Sequence, residues 1–169
     1  MIVMFFCKYR GTIKLSKGGF MSYQAKDTMT DKLITIDWKA SLTNAFELMK
    51  KNSIRHLPVR NDDSVIVGML SERDLLRAMR SDYSKDHLVP AEYTQFSAEA
   101  VVREYMNWPV KTVSKKENLE QVVHKMLHDK ISSVLVVDED QELVGIITTD
   151  DLISLLLTFL REDSEKKNM

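Results

Sequence analysis

Two short strings place a hydroxyl and a carboxylate at one spacing: Ser71-Glu72-Arg73-Asp74 and Thr148-Thr149-Asp150-Asp151. Each follows a β-rich run, Gly68-Met69-Leu70 or Gly145-Ile146-Ile147, and each opens an apolar series of helical period. At a strand-to-helix junction such a pair can form a capping box, the acid reaching back to the amide of the cap residue. The same geometry suits a ligand. Free amides and the positive end of the helix dipole favour a phosphate. An aspartate one turn on can accept both hydroxyls of a ribose. Spacing alone leaves both readings open.

Other chemistry-bearing residues point elsewhere. His124 and His128 share a helix face at i, i+4, a spacing that can serve zinc, but Lys125 and Met126 follow His124 where the metalloprotease pattern begins with Glu. Solvated histidines are the expectation there, and no metal site is expected. His87 has no evident partner. No Ser-His-Asp or Cys-His arrangement, Walker loop or GxGxxG stands in a recognisable context, so no enzyme active site is legible. The ten methionines fall mostly at core spacings, which fits flexible packing rather than redox chemistry.

The elements that position the two strings emerge when the chain is compared with itself. A shift of 77 carries Met29-Thr30 onto Met106-Asn107, and Leu42, Ala45, Phe46 and Met49 onto Leu119, Val122, Val123 and Met126. It also carries Ile54, Leu57 and Val59 onto Ile131, Val134 and Val136, and Gly68 to Ser71 onto Gly145 to Thr148. The chain is an internal duplication. In each copy a β-rich run (Ile34 to Ile36, Val110 to Val113) precedes an N-cap residue, Ser41 or Asn118. The apolar spacing that follows is one buried helix face. Two strands come next, separated by the turn-formers Asn61-Asp62-Asp63 or Asp138-Glu139-Asp140, and a final helix starts at Ser71 or Thr148. The unit reads β-α-β-β-α.

Net charge is −1, which argues against a nucleic-acid stripe or a polybasic membrane patch. No apolar run approaches the roughly 20 residues that cross a bilayer. Cys7 is the one cysteine, so no intramolecular disulfide forms, and a reducing cytoplasmic location is expected. Lys17-Gly18-Gly19-Phe20-Met21 can be encoded by a ribosome-binding site and start codon. Residues 1–24 are accordingly expected to be a leader, translated over residues 1–20 with Met21 the true start, or a disordered or strand-forming arm. The expected domains are repeat 1 at 25–80, a polar linker at 81–99, repeat 2 at 100–160 and a charged, frayed tail at 161–169.

The strings Ile54-Arg55-His56-Leu57-Pro58-Val59, Gly68 to Leu75 and Gly145 to Leu152 together resemble the CBS domain over about 135 residues, from Ala25 to Leu160. The resemblance implies an α/β (α+β) fold of two β-α-β-β-α repeats packed with pseudo-twofold symmetry, leaving clefts for adenosyl ligands, and pairs that homodimerise. It implies ribose and phosphate contacts at Ser71, Arg73, Asp74, Thr148 and Asp151. It implies adenine contacts at Ile36, Asp37, Val113 and Ser114, and at Arg55, His56, Ser132 and Ser133. Arg55, His56 and Arg73 make the first repeat's loops basic, while Ser132, Ser133, Thr149 and Asp150 stand in the second.

The expected function is a regulatory module, not an enzyme, that needs no cofactor. It binds AMP, ADP, ATP or a related adenosyl effector and signals to a protein partner in trans. The alternative is a ligand-free structural or dimerisation module in which Ser71 and Thr148 are only caps. A nucleic-acid binder is the weakest reading.

Overall fold

A computed structural model describes residues 23–81 and 96–167 of the chain. Most of the leader or arm, and most of the linker, lie outside the described residues. In chain order the elements are β1 (Ile36–Asp37), α1 (Leu42–Asn52), β2 (His56–Arg60), β3 (Ile66–Ser71), α2 (Glu72–Ser81), β4 (Thr112–Ser114), α3 (Leu119–His128), β5 (Ser133–Val137), β6 (Leu143–Thr148) and α4 (Thr149–Lys167). Each copy is thus β-α-β-β-α. The sheets run β1-β2-β3 and β4-β5-β6.

Local chemistry explains the repetition. Ser41 accepts from the Asn44 amide at 3.1 Å and Asn118 from the Glu120 amide at 2.8 Å, capping α1 and α3. Between β2 and β3, Asn61 Oδ1 accepts from the amides of Asp63 and Val65. Between β5 and β6, Asp138 Oδ1 accepts from those of Asp140 and Glu142. Each turn holds a left-handed residue, Ser64 or Gln141, both at φ 64°. Lysines brace each turn. Lys39 Nζ lies 2.6 Å from Asp62, and Lys115 Nζ 2.7 Å from Glu139, which Lys116 also contacts. The hydrogen bond from Lys115, with that from Lys116, lowers the Glu139 carboxyl to about 2.

The chain forms two compact units, and their boundaries cut through the sequence repeats. One unit is Lys32–Thr112; the other joins the chain up to Asp31 to Val113–Met169. In the first, Leu42, Leu57, Val59, Leu70 and Leu75 form a core with Ala100 and Val102, and Phe46 meets Phe96. In the second, Val122, Val134, Val136 and Ile147 are buried with Ala25, and Tyr23 meets Phe159 edge-on.

Each unit therefore borrows the short arm that precedes the other unit's strands. The Leu42 amide donates to the Ala100 carbonyl in one unit, and the Leu119 amide to the Tyr23 carbonyl in the other. Met69 pairs with Asn107 across a backbone bridge, and Ile146 with Thr30. The arm's methionine covers a glycine in each case. A methyl at Gly145 would stand 2.6 Å from the sulfur of Met29, and one at Gly68 would overlap the sulfur of Met106. Glycine is needed here for close approach.

One sequence expectation is corrected. Residues beyond Leu160 continue α4 as far as Lys167 rather than fraying. The run from Leu152 supplies helix-favouring apolar residues, and the charged tail is rich in good helix formers, so no stop signal interrupts it.

Candidate functional site: two strand-to-helix junctions

β2 and β3 pair antiparallel with His56 opposite Ser71, and β5 and β6 pair with Ser133 opposite Thr148. The helix that follows is tied back to the hairpin's other arm. The Glu72 amide donates to the Arg55 carbonyl at 3.0 Å, and the Thr149 amide to the Ser132 carbonyl at 3.0 Å. Six of the predicted residues thus meet as equivalent triples: Arg55, His56 and Ser71 in one unit, Ser132, Ser133 and Thr148 in the other.

The acidic half of the capping box is present at both junctions. Asp74 Oδ2 accepts from the Ser71 amide at 2.8 Å and also from the Ser71 hydroxyl. Asp151 Oδ2 accepts from the Thr148 amide at 2.7 Å and from the Thr148 hydroxyl at 2.6 Å. The hydroxyl half differs: Thr148 Oγ1 also accepts from the Asp151 amide at 3.3 Å, whereas Ser71 Oγ acts as donor.

The second carboxylate oxygen points to what the caps leave over. Asp74 is 5% exposed, and among the described residues its Oδ1 is met by the Arg77 guanidinium, at 3.5 Å, from a side chain 76% exposed. Asp151 Oδ1 accepts from the Thr30 hydroxyl at 3.3 Å. Both aspartates keep acceptor capacity toward a hydroxyl-bearing ligand.

Two residues at these sites were not singled out from sequence. Asn107 Nδ2 donates to Asp74 Oδ2 at 2.9 Å, and Thr30 reaches Asp151. They are themselves related by the shift of 77, and that match was the available signal. What sequence could not show was that each arm serves the other copy's aspartate.

Not every predicted contact gathers at a junction. Ile36 pairs with Val59, three positions along β2 from His56, or roughly 10 Å at the rise of a strand. Asp37 Oδ1 is taken by the Lys39 amide at 2.8 Å, as an Asx turn. Val113 is buried, and Ser114 Oγ accepts from the Lys116 amide at 3.3 Å. Arg73 is exposed in the first turn of α2. Among the described residues no group of three or more His, Cys, Asp or Glu side chains converges as for a metal. His124 and His128 are exposed beside Glu120 and Asp129.

A duplicated α+β module with one hydroxyl–aspartate junction per unit is the class these observations define. The chain belongs to the CBS domain family, whose model matches residues 25–81 and 102–158. Among solved structures it resembles the CBS domain pair of protein MJ0100 in complex with 5′-methylthioadenosine and S-adenosyl-L-methionine, at 26% identity and TM-score 0.66, covering 79% of this chain and 95% of that one. It also resembles CBSX2 in complex with AMP, at 29% identity and TM-score 0.63, covering 81% and 98%. Relatives by sequence include a homoserine O-acetyltransferase of Methanosphaera stadtmanae, 27% identical over 78% of this chain and 24% of that protein. Another is the L-aspartate semialdehyde sulfurtransferase of Methanocaldococcus jannaschii, 27% identical over 77% and 22%. The chain spans about a quarter of the length of these curated relatives. No helix among the described residues is long and apolar enough to cross a membrane.

Proposed function

We propose that this CBS pair is a cytoplasmic regulatory module, not a catalyst, that binds an adenine nucleotide or related adenosyl ligand at one or both junctions. The observation that carries this reading is the doubled aspartate, held by its cap through Oδ2 while Oδ1 keeps acceptor capacity beside a helix N-terminus. A ribose hydroxyl fits that oxygen, and the helix amides fit a phosphate. Structures resembling the chain have been solved with AMP, 5′-methylthioadenosine and S-adenosylmethionine bound, which supports the ligand class. Binding shifts the module between states in proportion to its differential affinity for them, and a protein partner acting in trans reads the state. The module works as a homodimer. Ile153, Leu156, Leu157 and Leu160, each 46–58% exposed, form an i, i+3, i+4, i+7 stripe on α4 that suits a contact between copies.

The rival reading, a ligand-free scaffold, draws on the same hydrogen bonds, since a capping box needs no ligand. Thermal unfolding separates the two. An adenosyl ligand at 100 times its dissociation constant adds about 2.7 kcal/mol, and Asp74→Ala or Asp151→Ala removes that gain. No shift with AMP, ATP, S-adenosylmethionine or 5′-methylthioadenosine establishes the scaffold instead.

A further inference from the structure

We infer that the two junctions divide adenosyl ligands by charge: that of the Lys32–Thr112 unit takes a 5′-phosphorylated adenosine, and that of the other unit an adenosine whose 5′ substituent carries no negative charge. The inference rests on the adenosyl reading above.

Five positions around each junction are related by the shift of 77: Arg55 and Ser132, His56 and Ser133, Glu72 and Thr149, Arg73 and Asp150, Arg77 and Ser154. The backbone at these places is equivalent, since the same hairpin register and the same amide-to-carbonyl bond recur. Their charges are opposite. Three arginines against Glu72 leave the first set at plus two, and Asp150 leaves the second at minus one, with histidine neutral.

Arg77 turns this difference into a selection. Its guanidinium lies 3.5 Å from Asp74 Oδ1, a long contact made by a mostly exposed side chain. A ribose hydroxyl donating to Oδ1 displaces it. With a 5′-phosphate at the adjacent helix N-terminus the displaced cation gains a new anion within reach, as does Arg73 in the first turn. With an unphosphorylated adenosine it gains nothing. The cost of displacing Arg77 is thus recovered only by a phosphorylated ligand.

At the other junction no arginine occupies these positions. Asp151 Oδ1 is met by the neutral hydroxyl of Thr30, and Asp150 sits in the first turn of α4, where it opposes a phosphate and tolerates an uncharged or cationic group.

The test is calorimetric titration of the whole chain with AMP and with 5′-methylthioadenosine, repeated on Asp74→Asn, Asp151→Asn, the pair Arg73→Ser/Arg77→Ser, and Asp150→Arg. The expected result is that Asp74→Asn removes AMP binding and Asp151→Asn removes 5′-methylthioadenosine binding. The arginine pair weakens AMP by roughly tenfold to a hundredfold and leaves 5′-methylthioadenosine unchanged; both side chains are exposed, so the fold is kept. Asp150→Arg tightens AMP at the second junction. AMP binding unmoved by the arginine pair, or lost in Asp151→Asn and kept in Asp74→Asn, overturns the division by charge while leaving the adenosyl reading standing. Binding of neither compound to the unmutated chain overturns that reading itself, and this inference with it.

Discussion

Thr30 Oγ1 donates to Asp151 Oδ1 at 3.3 Å across 121 positions of sequence. Its counterpart Asn107 donates to Asp74 at 2.9 Å across 33. The two bonds are equivalent under the repeat, and each joins a residue of one copy to the aspartate of the other. Asp74 is the more buried acceptor, so the weight of the arm falls unevenly. Asn107→Ala is expected to lower stability by about 1.5–3 kcal/mol, since it strips a charge-assisted bond from a buried carboxylate. Thr30→Val, at an exposed hydroxyl and a longer distance, is expected to cost no more than about 1 kcal/mol. Urea unfolding of the two variants checks the ranking, and equal losses contradict it.

The unit boundaries make a second prediction. A fragment of residues 32–112 contains a whole core together with the Asn107 that holds Asp74. A fragment of residues 25–81, cut at the edges of the sequence repeat, lacks Ala100, Val102 and Met106. The first is expected to unfold cooperatively and the second not to fold, as read by circular dichroism during urea titration. A cooperative 25–81 fragment counts against the arm as part of the unit.

Met29 and Gly145 supply a third. Gly145→Ala places a methyl against the Met29 side chain from its sulfur to its Cβ, 2.6 to 3.1 Å away. A loss of about 1–3 kcal/mol is expected from this overpacking. Adding Met29→Ala opens the space, so the double variant should lose less than the sum of the two single ones. Additive losses show that the two residues do not meet.

A fourth concerns acid. The Glu139 carboxyl, held at about 2 by hydrogen bonds from Lys115 and Lys116, has an ordinary value of 4.5. A carboxyl lowered on folding stabilises fully above its unfolded value, and that contribution fades as pH falls toward the folded one. The urea midpoints of the unmutated chain and of Glu139→Gln should therefore lie apart above pH 4.5 and draw together toward pH 2. Because the group is exposed, added salt should narrow the gap at every pH. A gap that does not change with pH removes Glu139 from the acid response.

Much of this was legible in the residues. Repetition at one shift exposed the duplication, and cap residues such as Ser41 and Asn118 marked helix starts, because capping is local chemistry within a few residues. The junction triples followed from the same local order. The exchange of arms was not legible. Met29-Thr30 matches Met106-Asn107 whichever copy each one serves, since a repeat carries no sign of which partner its arm will meet. The CBS resemblance implies an adenine contact at Asp37, and the local Asx turn in which its Oδ1 accepts from the Lys39 amide is a feature that the resemblance does not carry. The end of α4 was misjudged because charge alone does not stop a helix; a Gly or Pro does, and none stands between Leu160 and Lys167.

The exchanged arms also bear on how such a chain could arise. In this chain the arm of each copy contacts the aspartate of the other, so a lone copy would lack the arm that its aspartate meets here. Two separate molecules of that copy would satisfy each other by trading arms, each completing the other's junction. Joining them in one polypeptide makes the trade permanent and leaves the two junctions free to diverge: Asn107 against Thr30, Arg77 against Ser154.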